Sequence, residues 1–204
     1  WSRLAMDRSR VRRWPVWHRG DADIVLYTSG TSGRSKGTRI RTRDASPITA
    51  LRYLDLFGIG RETTMYTPCP LYHAAPMLMT GLTMLAGGKT VVRPRFESDA
   101  FVDLVEAEGI THAFLVPALL ERVSRLSSGQ LGRLRRSGLR ALLSSGSVLR
   151  PAIKIRLMDQ LGPILFDFYG ATELGLVSVA TPADMIADPQ AIGRILSGVE
   201  TRLV

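Results

Sequence analysis

Apolar residues recur along the chain in two rhythms. Short apolar runs stand at DIVLY (23–27), TTMYT (63–67), KTVV (89–92), THAFLV (111–116), LRALLSS (139–145) and PILFDF (163–168). They are rich in β-branched or aromatic residues and turn residues flank most of them, so they predict strands. Between them the spacing predicts helices. Asp44 or Ser46 is placed to cap a helix through ALRYLDLF, and Ser98 to cap the next. Phe101, Leu104, Val105 and Glu108 then fall at i, i+3, i+4 and i+7, a stripe that stops at Gly109. Pro117 opens another helix, with Leu119, Val123 and Leu126 on one face.

Strand–helix–strand alternation predicts an α/β fold with a mostly parallel sheet flanked by helices. A chain of 204 residues suits one core. Sheets of this kind bind ligands in the crevice at the carboxyl ends of their strands. The sequence holds no internal repeat and no low-complexity segment. Residues 1–20 and TPADMIADPQ (181–190) are the segments that read as linkers.

Composition changes this picture little. One cysteine, Cys69, excludes an internal disulfide and reads as a small core residue in a cytoplasmic chain. The N-terminus has no apolar segment of a secretory signal. Thr63 to Gly88 carries no charge, but Pro68, Pro70, His73, Pro76 and Gly81 interrupt it, so it suits a buried core and not a membrane span. The net charge is +9, and residues 1–43 alone carry ten Arg and one Lys against three Asp. Arginine outnumbers lysine throughout, 24 to 3, which points to a compositional habit and not to a nucleic-acid surface.

The candidate chemistry starts after the first apolar run, at YTSGTSGRSKG (27–37). Its glycines let backbone approach a ligand closely, and successive N–H groups can converge on an anion. Thr28, Ser29, Thr31 and Ser32 add hydroxyls and Lys36 a point charge suited to phosphate. With a buried strand before it, the segment reads as a phosphate cradle; alone it would read as a hydroxyl-rich surface turn. It is not the common nucleotide loop: counted from Gly30, Ser35 stands where glycine is needed, and Gly37 where Ser or Thr would hold magnesium.

This loop resembles that of the adenylate-forming, AMP-binding superfamily, which includes acyl-CoA synthetases and fatty-acyl-AMP ligases, with Ser35 where proline is usual. Four more segments resemble that family's motifs in family order: PLYHAAP (70–76), LLSSGSVL (142–149), FYGATELG (168–175) and IGRILSGVETRLV (192–204). The resemblance implies ATP-dependent activation of a carboxylic acid to an acyl-adenylate, then transfer to a thiol, coenzyme A or a carrier protein. It implies that Thr28, Ser29, Gly30, Thr31, Ser32, Gly33, Lys36 and Gly37 cradle the ATP phosphates. It implies that Thr172 contacts phosphate and that Glu173 holds Mg²⁺, for which a carboxylate is a suitable hard ligand.

By the same resemblance Tyr169 stacks on adenine, with Gly170 and Ala171 beside it; a core aromatic is the plain alternative. Gly146 and Ser147 lie along the base, although Ser145, Ser147 and Val148 depart from the family's Gly, Ala and Pro. Asp167 is placed to accept from the adenine amino group. His73 marks the border of the acyl pocket and the thiol tunnel, in a positioning role. Val116 and Pro117 line the acyl site or are ordinary core.

The resemblance makes residues 21–204 part of the AMP-binding core domain, behind a basic lead of residues 1–20. The family's ribose-binding aspartate, hinge and small C-terminal domain with its lysine are expected to be absent, leaving the isolated chain with little or no turnover. Two readings remain open: the central part of an acyl-CoA synthetase-like ligase for an apolar acyl or aryl acid, or a non-catalytic nucleotide- or partner-binding domain derived from one.

Overall fold

The computed structural model describes residues 23–28, 36–41 and 46–202. Asp44, expected as a helix cap, and the expected basic lead at 1–20 lie outside these residues. Among the described residues the chain forms two sheets. The larger has seven strands in the order β4-β3-β5-β6-β7-β8-β9. Its members are β3 (Thr64–Thr67), β4 (Lys89–Val92), β5 (His112–Phe114), β6 (Ala141–Ser144), β7 (Leu165–Ala171), β8 (Gly175–Ala180) and β9 (Arg194–Ile195). β3 to β7 run parallel, and β8 and β9 are antiparallel additions at one side. The five expected strands from TTMYT onward are all present. The expected fold class is the one observed.

The period-2 rule explains the two cores. Tyr66, Ala113, Leu142 and Leu165 point to one face, under α3 (Ser98–Glu108), α4 (Pro117–Ser124), α5 (Ser128–Arg136) and α6 (Pro151–Leu161). Met65, Phe114, Leu143 and Phe168 point to the other, under α1 (Pro47–Phe57) and α2 (Ala74–Leu85). Buried on both faces, the inner parallel strands read as apolar runs, while β4, at the edge, buries Val91 alone.

Four expectations are corrected. DIVLY is not a buried strand of the parallel sheet. It forms β1 (Asp23–Thr28), paired antiparallel with β2 (Lys36–Arg41) in a separate two-stranded sheet, where Ile24 and Val25 are exposed and Leu26 is buried. The glycine-rich segment therefore connects two antiparallel strands whose facing ends are Thr28 and Lys36. Ser98 does not cap α3: Glu97 holds the cap position without a side-chain hydrogen bond, and Ser98 is the first helical residue. Ser46 does sit at the cap of α1 but its side chain makes no capping bond there; Pro47, with φ pre-set, opens the helix instead. TPADMIADPQ is not a linker. Pro182–Ala187 forms a short helix, α7, started by a capping box in which Thr181 and Asp184 satisfy each other's backbone N–H, and Met185 seals it to the core. In α4 the expected face is present, though Leu126 packs just beyond the helix end.

Candidate active site

Sheet order decides what the carboxyl ends bring together. β5, β6 and β7 are adjacent, about 4.8 Å apart from strand to strand. Val116 and Pro117 follow β5, Gly146 and Ser147 follow β6, and Tyr169 to Ala171 end β7. Segments far apart in sequence thus line one rim. The β3 end leads through Pro68 and Cys69 to His73 on the same side of the sheet.

The predicted residues on the main sheet take definite places. His73 is exposed, occupies the cap position of α2, and leans on Tyr72 with ring centroids 4.5 Å apart. Val116 is half-buried at the cap of α4 and Pro117 is buried as its first residue; both pack into the wall of the rim. Gly146, φ +96°, takes a conformation that disfavours a side chain, and it and Ser147 are exposed. Cys69 is buried, and burial pushes its thiol pKa up, which suits a core residue.

β7 alternates in a way that aims its tip. Phe166 and Phe168 turn toward α1, where Phe168 meets Phe57 and Phe114 at 5.7 and 6.0 Å between centroids. Asp167 and Tyr169 therefore share the opposite face. Phe168 is locked in the core, so Tyr169 is fixed at its base while its ring is 57% exposed. That exposure rules out the core-aromatic alternative and leaves a flat ring open to a planar ligand. A bulge between Tyr169 and Gly170 and a tight turn through Thr172, Glu173 and Leu174 reverse the chain into β8. A side chain at Gly170 would collide with the Gly175 carbonyl, so this close approach requires glycine.

Asp167 is not open to solvent as a free acceptor. Its carboxylate meets the Lys154 ammonium at 2.9 Å. Burial pushes the Asp167 carboxyl up, and the hydrogen bond and charge of Lys154 oppose that rise.

Of the glycine-rich segment, Ser29, Gly30, Thr31, Ser32 and Gly33 lie outside the described residues. Its flanks are described: Thr28 pairs with Lys36 and Tyr27 with Gly37, so the segment joins two closely paired strand ends. Across from it, the Thr38 hydroxyl donates to Glu173 Oε1 at 3.2 Å. This contact spans 135 residues and brings the hairpin against the FYGATELG turn. Glu173 is exposed and Thr172 half-buried. No cluster of three or more His, Cys, Asp or Glu exists among the described residues. The donor set at the turn, one carboxylate beside hydroxyls, fits a hard cation that keeps most of its ligands from water and phosphate, as Mg²⁺ does.

Sequence reasoning missed Lys154 and Thr38. Lys154 had a signal. Ile153, Leu157 and Leu161 mark a buried stripe, and Lys154 lies at its edge, an odd place for a lysine without a partner. Thr38 gave none, because its partner is remote.

A profile of the family described as AMP-binding enzyme matches residues 7–204. Among curated relatives, the indoleacetate–CoA ligase of Aromatoleum aromaticum is 32% identical over 89% of this chain and 35% of its own length. The solved amide bond synthetase McbA from Marinactinospora thermotolerans superposes with a TM-score of 0.74 at 28% identity, over 86% of this chain and 35% of that one. A malonyl-CoA ligase in a ternary product complex with methylmalonyl-CoA and AMP superposes with a TM-score of 0.73 at 26% identity, over 86% and 38%. The chain spans about a third of the length of these relatives. No helix among the described residues is long and apolar enough to cross a membrane.

Proposed function

The chain belongs to the AMP-binding enzyme family, and from that premise we propose that it carries the ATP-holding part of a carboxylic acid–thiol ligase. The supporting observation is the Thr38–Glu173 hydrogen bond, which seats the glycine-rich hairpin beside the FYGATELG turn. That contact brings β2, the strand that follows the glycine-rich segment, beside the turn after β7.

In this reading the backbone and hydroxyls from Thr28 to Gly37 cradle the β- and γ-phosphates, and Lys36 anchors their charge. Thr172 adds a hydroxyl and Glu173 is the residue that would hold Mg²⁺, whose contribution is to offset phosphate charge. Tyr169 stacks on adenine, bounded by Gly170 and Ala171, with Gly146 and Ser147 along its other edge. Asp167 contributes from beneath. A carboxylate oxygen of the acid attacks the α-phosphorus of ATP and pyrophosphate leaves. A thiol sulfur then attacks the acyl carbon, forming the thioester and releasing AMP. The site's work is to bring two anions into line, so positioning and charge neutralisation dominate.

We assign an apolar acyl or aryl acid as substrate, with His73, Val116 and Pro117 at its pocket and coenzyme A as acceptor. The apolar residues of that wall and the aromatic acid named for the indoleacetate ligase support this. We also assign residues 21–204 to the AMP-binding core domain and the reaction to the cytoplasm.

The test is equilibrium binding of Mg-ATP to the chain beside Lys36→Ala and Glu173→Ala. Weakening by both, with unchanged folding, is expected. A folded chain that binds no Mg-ATP, or binds equally in all three forms, overturns the assignment of the phosphate site here.

A further inference from the structure

Lys154 lies on α6 and is almost wholly enclosed, at 2% exposure. Lysine is rarely buried unless paired, and a buried unpaired ammonium costs several kcal/mol. Its Nζ makes two contacts that join separate parts of the chain. One is the Asp167 Oδ2 at 2.9 Å, on β7 two residues before Tyr169. The other is the backbone carbonyl of Ala191 at 3.0 Å, in the return that leads to β9. That return is also held to β8 by the β9 pairing and to α7 by Arg194, whose Nε donates to Asp184 Oδ1 at 2.9 Å, but among the described residues no other side chain ties it to β7. The Ser178 hydroxyl donates to the Ile192 carbonyl at 2.8 Å, and β9 itself is two residues long and exposed. A side chain at Gly193 would overlap the Val179–Ala180 backbone, so the return must lie flat against β8 to pass.

The strand beside Asp167 is polar at this point as well. Ser144 pairs in register with Asp167, so both side chains share a face. The Ser144 hydroxyl is fully buried and has no hydrogen-bond partner among the described residues. The ammonium, the carboxylate and that hydroxyl thus sit directly under the β6–β7 rim from which Gly146 and Tyr169 project. A hydrophobic stripe would close this space more cheaply, since replacing buried ion pairs by apolar groups is often neutral or stabilising. What an apolar filling cannot do is bind Asp167 and the Ala191 carbonyl at once.

We propose that Lys154 is a positioning residue of the nucleotide site: its ammonium ties the β7 tip to the 188–195 return and so holds the Tyr169 platform and that return in one arrangement. This rests on the reading that Tyr169 faces the nucleotide. Lys154 touches no substrate in it. The tether acts through β7, whose Asp167 it holds, and through the return, whose carbonyl it holds.

Two readouts separate this from a mere core staple. The first needs no nucleotide: amide hydrogen exchange in the intact chain, for Lys154→Met, Asp167→Asn and the double variant. Lys154→Met is expected to lower protection at residues 190–196 and at 167–171 together, by on the order of tenfold, the scale of coupling between contacting groups. Asp167→Asn leaves the Ala191 contact in place and is expected to loosen 167–171 alone. The double variant relieves the unpaired buried carboxylate, so its unfolding midpoint recovers, but 190–196 stays loose. Global loosening in Lys154→Met that the double variant fully reverses would overturn the proposal and leave a neutralising role only. So would unchanged protection at 190–196.

The second readout is Mg-ATP affinity. Lys154→Met and the double variant are expected to bind roughly tenfold more weakly than wild type, with Lys154→Arg, which keeps the charge, restoring most of the affinity. Wild-type affinity in the double variant would overturn the link to the site. Should wild type itself bind no Mg-ATP, the nucleotide reading fails while the exchange pattern still decides whether the tether exists.

Discussion

His112 gives the fold a pH dependence that can be worked from its contacts. It opens β5 at 2% exposure. Nε2 lies 3.0 Å from the Phe57 carbonyl and Nδ1 2.9 Å from the Thr111 hydroxyl. A carbonyl can only accept, so Nε2 carries the proton and Nδ1 accepts from Thr111. The neutral ring is thus satisfied at both nitrogens. A second proton on Nδ1 would force the Thr111 hydroxyl to turn from donor to acceptor and place a charge in the core. Burial is the largest cause of the lowered His112 pKa; the Phe57 carbonyl opposes it and the Arg140 charge adds to it. The unfolded ring titrates at the ordinary 6.5. As pH falls through that value the unfolded chain takes up a proton the folded chain refuses, so stability is lost. Well above it the ring is neutral in both states and its contribution is constant. The limit, with the folded ring neutral throughout, is a loss of about 1.4 kcal/mol between pH ~7.5 and ~5.5.

That window is chosen to keep carboxylates out. Glu106, Glu108 and Asp184 are held below their ordinary values by hydrogen bonds from Arg133, Lys89 and Thr181. The stability they add is fully present above their ordinary values of 4.5, 4.5 and 3.8, and is lost only as pH falls through the lower folded values. Asp167 runs the other way, its folded carboxyl being raised above the ordinary 3.8. The assay is urea unfolding of wild type and His112→Gln at both ends of the window. Wild type is expected to lose up to about 1.4 kcal/mol more than the variant. Equal losses in the two proteins would refute the argument that this ring is held neutral.

Two other predictions concern backbone and caps. Gly170→Ala places a methyl on the Gly175 carbonyl at the β7–β8 turn; a loss of about 1–3 kcal/mol is expected, from overpacking, together with weaker Mg-ATP binding. Calorimetry and equilibrium binding check the pair, and an unchanged melting temperature would mean that the turn yields freely. Thr181→Ala removes half of the α7 capping box. It is expected to cost about 1 kcal/mol in urea unfolding, and an unchanged midpoint would mean that the cap contributes nothing.

The sequence by itself determined the parallel core and the order of its motifs. TTMYT, THAFLV, LRALLSS and PILFDF are legible because most residues there answer to burial on one face or the other, and KTVV, at the sheet edge, because Val91 does. The helix stops at Gly58 and Gly109 are legible for a similar local reason, since both take the left-handed turn that favours glycine. The functional segments announced themselves through local chemistry, glycines beside hydroxyls and a lysine.

What tertiary structure alone decided was who meets whom. DIVLY could not reveal that it pairs with KGTRIR apart from the main sheet, since pairing is a relation between two segments. Nor could TPADMIADPQ show that Met185 has a core to seal, without which a six-residue helix is too short to be stable. The Thr38–Glu173 bond and the Lys154–Asp167 pair span 135 and 13 residues and join an exposed hydroxyl and a buried ammonium to carboxylates. A lysine read alone belongs in water. Only the folded sheet, by carrying Asp167 and the Ala191 carbonyl to one point, makes its burial tolerable.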